Sequence, residues 1–261
     1  MIFPKKSLGQ NFLIDKNIIK KIINLVKINN KDVIEIGPGE GALTGEILKK
    51  NPKSLILIEK DLKLTNKLKL KYSKNKNIKI FNADILKLNL EAIQNKNSIV
   101  FGNLPYNISS QILVKFLKYK KWPPKFSSLV FMFQKELGEK VIGKFLSPHY
   151  GRLSVLFHYR LDLVKKFLVS PNCFWPKPKV NSMVLLLQPN TKIKFNIKNI
   201  ENLEKITNVF FSNKRKMINK NIKKILNDSK IKLINGLRLN LRPSEINPEI
   251  YYKITELYEE N

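Results

Sequence analysis

Apolar residues recur along the first two-thirds of the chain in two alternating rhythms. Between Asp15 and Ile28, the residues Ile18, Ile19, Ile22, Ile23 and Val26 fall at helical spacing with lysines between them, which predicts an amphipathic helix laid on a core. Four short apolar runs follow, each stopping at a polar residue or a glycine. Residues 32–36 stop at Gly37, 54–58 at Glu59, 77–83 at Asp84, and 98–101 at Gly102-Asn103. Helix-compatible segments separate most of them, at 42–50, 61–71 and 109–118. Strands alternating with helices predict right-handed βαβ units and a parallel sheet. Further strands are expected at 129–133, 162–169 and 181–187. After Gln188-Pro189-Asn190 the strand rhythm ends, and 199–260 reads as short helices punctuated by Gly236 and Pro243. The expected organisation is an α/β domain over 1–189 and a small helical domain over 190–261.

Composition narrows the class. With 261 residues, 43% hydrophobic and 10% aromatic, the chain can bury a sizeable core. No apolar run approaches the roughly 20 residues that span a bilayer. The start, Met1-Ile2-Phe3-Pro4-Lys5-Lys6, has no apolar core of signal-peptide length behind its charges. A cytoplasmic protein is expected. A single cysteine, Cys173, rules out a disulfide framework, and His149 and His158 alone cannot build a typical zinc site, so no metal is expected.

Charge changes the picture more. Lys+Arg 49 against Asp+Glu 20 leaves a net +29, a field that attracts polyanions, above all nucleic acid. An anionic membrane surface is the competing partner. Only five of the cations are arginine and asparagine is abundant, a pattern that suits AT-rich codon bias. Such a bias inflates lysine but does not by itself create a shortage of acids.

The first chemical motif is the loop after the first strand, Glu35-Ile36-Gly37-Pro38-Gly39-Glu40-Gly41. Glycines let the backbone turn sharply and let a ligand approach without a Cβ in the way. The spacing is neither the dinucleotide G-x-G-x-x-G nor a P-loop, which needs Gly-Lys-Ser/Thr. In open α/β sheets ligands sit beyond the carboxyl ends of the strands. Glu35, Glu59, Asp84 and Asn103 fall at or just past four successive strand ends, so they should line one crevice. Glu59 is placed to accept from both ribose hydroxyls, and Asp84 from an adenine amino group. Ribose and adenine recognition without phosphate-binding apparatus points to S-adenosylmethionine rather than NAD or ATP.

The second motif is Gly102-Asn103-Leu104-Pro105-Tyr106-Asn107. It offers an amide acceptor, a carbonyl ahead of a proline and an aromatic face. Methylation of an exocyclic amine requires that set. The adenine N6 lone pair is delocalised into the ring and is a poor nucleophile. Hydrogen bonds to the Asn103 side-chain oxygen and the Leu104 carbonyl favour a more pyramidal nitrogen, while Tyr106 stacks on the base.

Together these motifs resemble the KsgA-type small-subunit ribosomal RNA adenine dimethyltransferases. The resemblance runs from Lys6-Ser7-Leu8-Gly9-Gln10-Asn11-Phe12-Leu13 through both motifs, Phe133-Gln134-Lys135-Glu136 and Tyr150-Gly151-Arg152-Leu153-Ser154-Val155, to Phe174-Trp175-Pro176-Lys177-Pro178-Lys179-Val180-Asn181-Ser182. It implies a Rossmann-like class I methyltransferase domain followed by a small helical domain. It also implies that Gln10, Asn11 and Leu13 help close the cofactor pocket, with Gly37 and Gly39 against the methionine part. Glu59 then holds the ribose, Asp84 the adenine amine, and Asn103 sits beside the transferred methyl. Phe174 stacks on the flipped target adenine from the side opposite Tyr106. Trp175 is bulky for its place, and Asn181 stands where the family usually has Asp.

The implied substrate is a pair of adjacent adenosines in the 3′-terminal hairpin loop of small-subunit RNA, met in the immature 30S subunit by a monomer. Rival readings are a large-subunit dimethyltransferase of the antibiotic-resistance type, which usually carries Ile in the place of Leu104, and an assembly factor acting mainly by binding. DNA amino-methyltransferases share Asn/Asp-x-x-Tyr but usually have Pro in that place. Between Lys205 and Lys232 nine cations face one acid, Asp228, with Met217, Ile218, Ile222, Ile225 and Leu226 at helical spacing among them. This stretch, with Lys214, Arg215 and Lys216 at its centre, is either a solvated face on a core helix or a surface that tracks RNA phosphates.

Overall fold

A computed structural model gives the fold and describes residues 4, 5 and 9–260. Met1 to Phe3, and Lys6, Ser7 and Leu8 at the start of the family-like sequence, lie outside the described residues. The strands are β1 (Phe12–Leu13), β2 (Asp32–Ile36), β3 (Ser54–Glu59), β4 (Ile78–Asn82), β5 (Ser98–Asn103), β6 (Phe126–Gln134), β7 (Leu161–Val169), β8 (Phe174–Trp175) and β9 (Ser182–Pro189). Among them lie α1 (Lys16–Ile23), α2 (Ala42–Leu48), α3 (Leu62–Lys71), α4 (Leu90–Ile93), α5 (Ser109–Leu117), α6 (Lys135–Val141) and α7 (Arg152–Arg160). Then come α8 (Ile200–Phe211), α9 (Asn219–Ile222), α10 (Asp228–Lys232) and α11 (Pro248–Glu259).

Seven strands form one sheet in the order β4-β3-β2-β5-β6-β9-β7, and β1 pairs with β8 in a separate two-stranded ribbon. The five strands from β4 to β6 run parallel, joined by helical crossovers, while β9 runs antiparallel to β6 from Leu187 opposite Leu129 to Ser182 opposite Gln134. The central strands are apolar on both faces, as a sheet covered on both sides requires. Chain direction across the sheet reverses between β2 and β5, where Ile36 pairs with Gly102. A crevice therefore opens beyond the carboxyl ends of these two strands.

The alternating rhythm predicts the parallel strands and their helices well, because each is a short apolar run with a turn behind it. The first helix is shorter than its periodicity suggests. Asp15 caps it by accepting from the Asn17 and Ile18 amides, but it closes at Asn24, and Ile28 reaches the core from beyond the helix end. Two helices have no amphipathic signature. α7 buries Ser154, Val155, Leu156, Phe157, Tyr159 and Arg160, so it shows no polar face to read, and α6 is polar with Gly138 inside it.

The described chain divides into two compact units. The first comprises the chain up to Phe116 with Pro123–Gly138 and Leu163–Pro189; the second comprises Leu117–Trp122, Glu139–Asp162 and the chain from Asn190. The expected single cut at 189/190 is thus a correction in part: two earlier stretches also belong to the helical unit. They carry its packing. Tyr150 donates its hydroxyl to the Ile246 carbonyl at 2.9 Å, and Tyr252 donates to the Val155 carbonyl at 3.0 Å. Leu203, Ile206 and Phe210 of α8 and Tyr251, Ile254 and Leu257 of α11 are buried, with the Phe210 and Tyr251 rings edge to face at 5.4 Å.

Candidate active site

The turn after β2 begins the site. The Gly37 amide donates to the Ile58 carbonyl at 2.9 Å, which ties the loop to β3. Gly39 adopts a left-handed φ of 57°, and a Cβ there would lie 3.0 Å from the Phe12 ring. Only glycine meets both demands. At the end of β5, a Cβ on Gly102 would lie 2.5 Å from Leu104 Cδ2, so this glycine lets the Asn103-Leu104 turn fold back onto its own strand.

These turns bring most of the expected residues to one crevice of about 270 Å³. Gln10, Asn11, Leu13, Gly37, Gly39, Glu59, Asp84, Asn103, Leu104 and Tyr106 all line it. Glu35, at the β2 end, is buried and accepts from the Thr44 hydroxyl at 2.7 Å. Burial, reinforced by the nearby Glu59 charge, pushes its carboxyl up to about 7 despite that hydrogen bond. Glu59 accepts from the Gly39 amide at 3.2 Å and the Asp61 amide at 2.9 Å, so β3 hands its terminal carboxylate to the glycine loop. Its carboxyl is also raised, burial outweighing the two amide donors. Asp84 differs. The Leu86 amide at 2.9 Å and the Lys60 ammonium at 3.0 Å hold its carboxyl below the ordinary range.

Asn103 is oriented by the N-terminal segment. Its Nδ2 donates to the Asn11 carbonyl at 3.0 Å, which turns Oδ1 the opposite way as an acceptor. The Tyr106 hydroxyl and the Ser182 hydroxyl are 2.6 Å apart, pinning the ring to the start of β9. Burial raises the phenol above its ordinary value, and Ser182 offsets part of that. Gln10 accepts from the Lys5 amide at 2.8 Å.

Phe174 is not among the residues that line the crevice. The ring is 3% exposed and packs in the apolar core with Leu13 and Cys173, while β8 pairs it with Leu13 of β1. Lys214, Arg215 and Lys216 are exposed in the turn after α8, in the other unit from the crevice. Beneath them Ile218, Ile222, Ile225 and Leu226 are buried as their spacing predicts, but Met217 is 55% exposed.

Sequence reasoning assigns no role to Phe12, Ser182 or Lys60. Each stands next to a residue or motif that it does single out, yet the role of each comes from a partner distant in sequence.

The sequence profile of the family described as ribosomal RNA adenine dimethylase matches residues 3–260. The chain belongs to this family. It is accordingly an S-adenosylmethionine-dependent adenine dimethyltransferase of ribosomal RNA, as the motifs lead one to expect. A protein of Pelagibacter ubique named ribosomal RNA small subunit methyltransferase A is 45% identical over 257 residues, 98% of this chain and 97% of its own length. A protein of the same name from a Wolbachia of Drosophila simulans is 40% identical, covering 95% and 91%. Among solved structures, a dimethyladenosine transferase from Plasmodium falciparum matches with a TM-score of 0.78 at 24% identity, covering 93% of this chain and 95% of its own. A 23S rRNA methyltransferase, ErmE, matches with a TM-score of 0.69 at 23% identity, covering 95% and 99%. These two likenesses establish the Rossmann-like methyltransferase fold.

Proposed function

We propose that this family member methylates small-subunit ribosomal RNA, converting two adjacent adenosines of the 3′-terminal hairpin loop to N6,N6-dimethyladenosine. The observation that carries the reading is the convergence of Glu59, Asp84 and the Asn103–Tyr106 turn on one crevice. Relatives named for the small subunit, at 45% and 40% identity, support that substrate over the large subunit.

The crevice suits S-adenosylmethionine on its own chemistry. In a chain of net +29 its lining holds four acids, Glu35, Glu40, Glu59 and Asp84, against Lys60 and Lys71. An acidic lining favours a cationic ligand and disfavours a di- or triphosphate. Glu59 takes the ribose hydroxyls, Asp84 the adenine amine, and the Gly37–Gly39 turn lies against the methionine part, with Gln10, Asn11 and Leu13 closing the pocket. When bound, the sulfonium supplies an already activated methyl group.

What remains for the protein is alignment of the acceptor amine. Asn103 Oδ1 and the Leu104 carbonyl accept from the two N6–H groups and hold the nitrogen toward the methyl. The Tyr106 ring, fixed through Ser182, stacks on the extruded base. The exposed cations around Lys214, Arg215 and Lys216 grip RNA phosphates, which position a substrate without reading its bases. In this reading the protein works in the cytoplasm, as a monomer without a metal, on the immature 30S subunit. Small subunits from cells lacking the protein, incubated with it and S-adenosylmethionine, should yield N6,N6-dimethyladenosine by nucleoside mass spectrometry. No product, or product only with large-subunit RNA, would overturn the substrate assignment.

A further inference from the structure

Most lysines of this chain face water, but Lys115 on α5 is half-buried. Its Nζ donates to the Leu86 carbonyl at 2.9 Å, and the Leu86 amide in turn donates to the Asp84 carboxylate at 2.9 Å. Both backbone groups of one residue are therefore held, the carbonyl by an ammonium and the amide by the acid that faces the crevice. Burial lowers the Lys115 ammonium below the ordinary lysine value, and the Asp84 charge works against that, so the two ions are within electrostatic reach of each other. Leu86 lies in the turn after β4 beside Ile85, which is buried and lines the crevice. The same helix also holds the opposite side of the site. At its start the Ser109 hydroxyl donates to the Tyr106 carbonyl at 3.2 Å, and Ile112, Leu113 and Phe116 are buried along it. About 9 Å of helix rise separates Ser109 from Lys115. One rigid element thus carries a bond to each of the two turns.

Drawing an ammonium partly out of water costs free energy, which the hydrogen bond to a carbonyl offsets. What that bond fixes is the turn bearing Asp84. We propose that Lys115 is a positioning residue for the cofactor: it ties the 84–86 turn to α5, so that Asp84 meets the adenine amino group at a set distance from the Asn103–Tyr106 turn. This role rests on the reading in which Asp84 takes the adenine amine. Lys60 grips the same carboxylate at 3.0 Å from an exposed position. Lys60 bonds the side chain, whereas Lys115 bonds the backbone that carries it.

The test uses the intact protein and calorimetry with two probes. One is S-adenosylmethionine, and the other is 5′-methylthioadenosine, which keeps the adenine and ribose but lacks the amino-acid part. Lys115→Met keeps the length of the stem and removes the donor. It should weaken S-adenosylmethionine about 5-fold and methylthioadenosine by the same factor, while kcat at saturating cofactor and RNA affinity stay at wild-type values. Lys115→Arg keeps a charged donor and should recover most of the loss. Because Lys115 acts through Asp84, adding Lys115→Met to Asp84→Ala should weaken binding no further. If Lys115→Met does not fold, Lys115→Gln makes the same comparison. Wild-type affinity in the Lys115 variant overturns the role. So does a loss that adds in full to that of Asp84→Ala, or one confined to S-adenosylmethionine, since either would make Lys115 an ordinary part of the helix packing. Wild-type affinity in Asp84→Ala alone would instead remove the reading of the pocket beneath it.

Discussion

The crevice and the stretch from Lys205 to Lys232 place charge in opposite ways. In the crevice each acid has a named donor: Thr44 for Glu35, the Gly39 and Asp61 amides for Glu59, Lys60 and the Leu86 amide for Asp84, and Lys67 for Glu40. In the basic stretch Lys205 donates to the Tyr258 hydroxyl and Lys230 to the Leu257 carbonyl, while Lys214, Arg215 and Lys216 stand exposed in a turn. The first region acts through the position of single atoms in a partly dry space, and the second through charge density in water. Substitutions in the two should therefore behave differently. Single changes in the crevice should be large and specific, and changes in the basic stretch should be graded and sensitive to salt.

Asn103→Ala should give the largest effect. Its acceptor matters only while the amine is being aligned, so methyl transfer should fall by about 100-fold or more while RNA binding is kept. Single-turnover methylation alongside RNA binding checks both halves; a small loss in rate would deny the crevice its atom-specific character. Glu35 offers a test on stability. Burial raises its carboxyl to about 7, so the folded chain holds a proton that the unfolded chain gives up near the ordinary value. This contribution is full below that ordinary value and is lost as pH rises through about 7. The cofactor-free wild type should lose up to about 3 kcal/mol between those limits, and Glu35→Gln should show a flatter profile. Denaturant titrations across this pH range decide it, and equal slopes in the two proteins would contradict the assignment.

What is legible in the sequence follows from the same contrast. Strand ends can be read because a buried parallel strand is an unbroken apolar run, and a polar residue at or just past its end is placed on the ligand side. Glu59, Asp84 and Asn103 emerge from that rule alone. Phe174 does not, because a strand of two residues gives no alternation from which to tell the inward ring from the outward one. Only its pairing with Leu13, distant in sequence, puts Phe174 inside and Trp175 outside. The division between units is hidden for a related reason. Helix α7 carries Arg152, Ser154, His158 and Arg160 and yet is buried over most of its surface, so nothing local reveals that it packs with the C-terminal helices.

Glu59 and Asp84 sharpen the comparison within the crevice itself. Glu59 is buried and meets only amide donors, so Glu59→Ala should cost about 1.5–3 kcal/mol of S-adenosylmethionine binding. Asp84 already shares a partly exposed carboxylate with Lys60, and solvent screens what it offers a ligand. Asp84→Ala should weaken binding by less than about 10-fold. Calorimetry on both variants measures the difference. Equal losses would mean that burial does not set the strength of a carboxylate here, and wild-type affinity in both would sink the assignment of the pocket.

The smallest effect expected per residue belongs to Lys214, Arg215 and Lys216. They flank a helix whose apolar side, Ile218 and Ile222, is fully buried, so changing the exposed cations removes charge without opening the core. For every phosphate that is no longer neutralised, the dependence of log affinity on log salt should fall by up to about one unit. The triple change to Ala should therefore weaken RNA binding most at low salt and progressively less as salt rises. S-adenosylmethionine affinity should not move, because the crevice is built wholly from the other unit. RNA titrations at several salt concentrations give the slope directly. A slope equal to that of the wild type would return the three cations to an ordinary solvated surface, and a drop in cofactor affinity would show that the two regions are not separable.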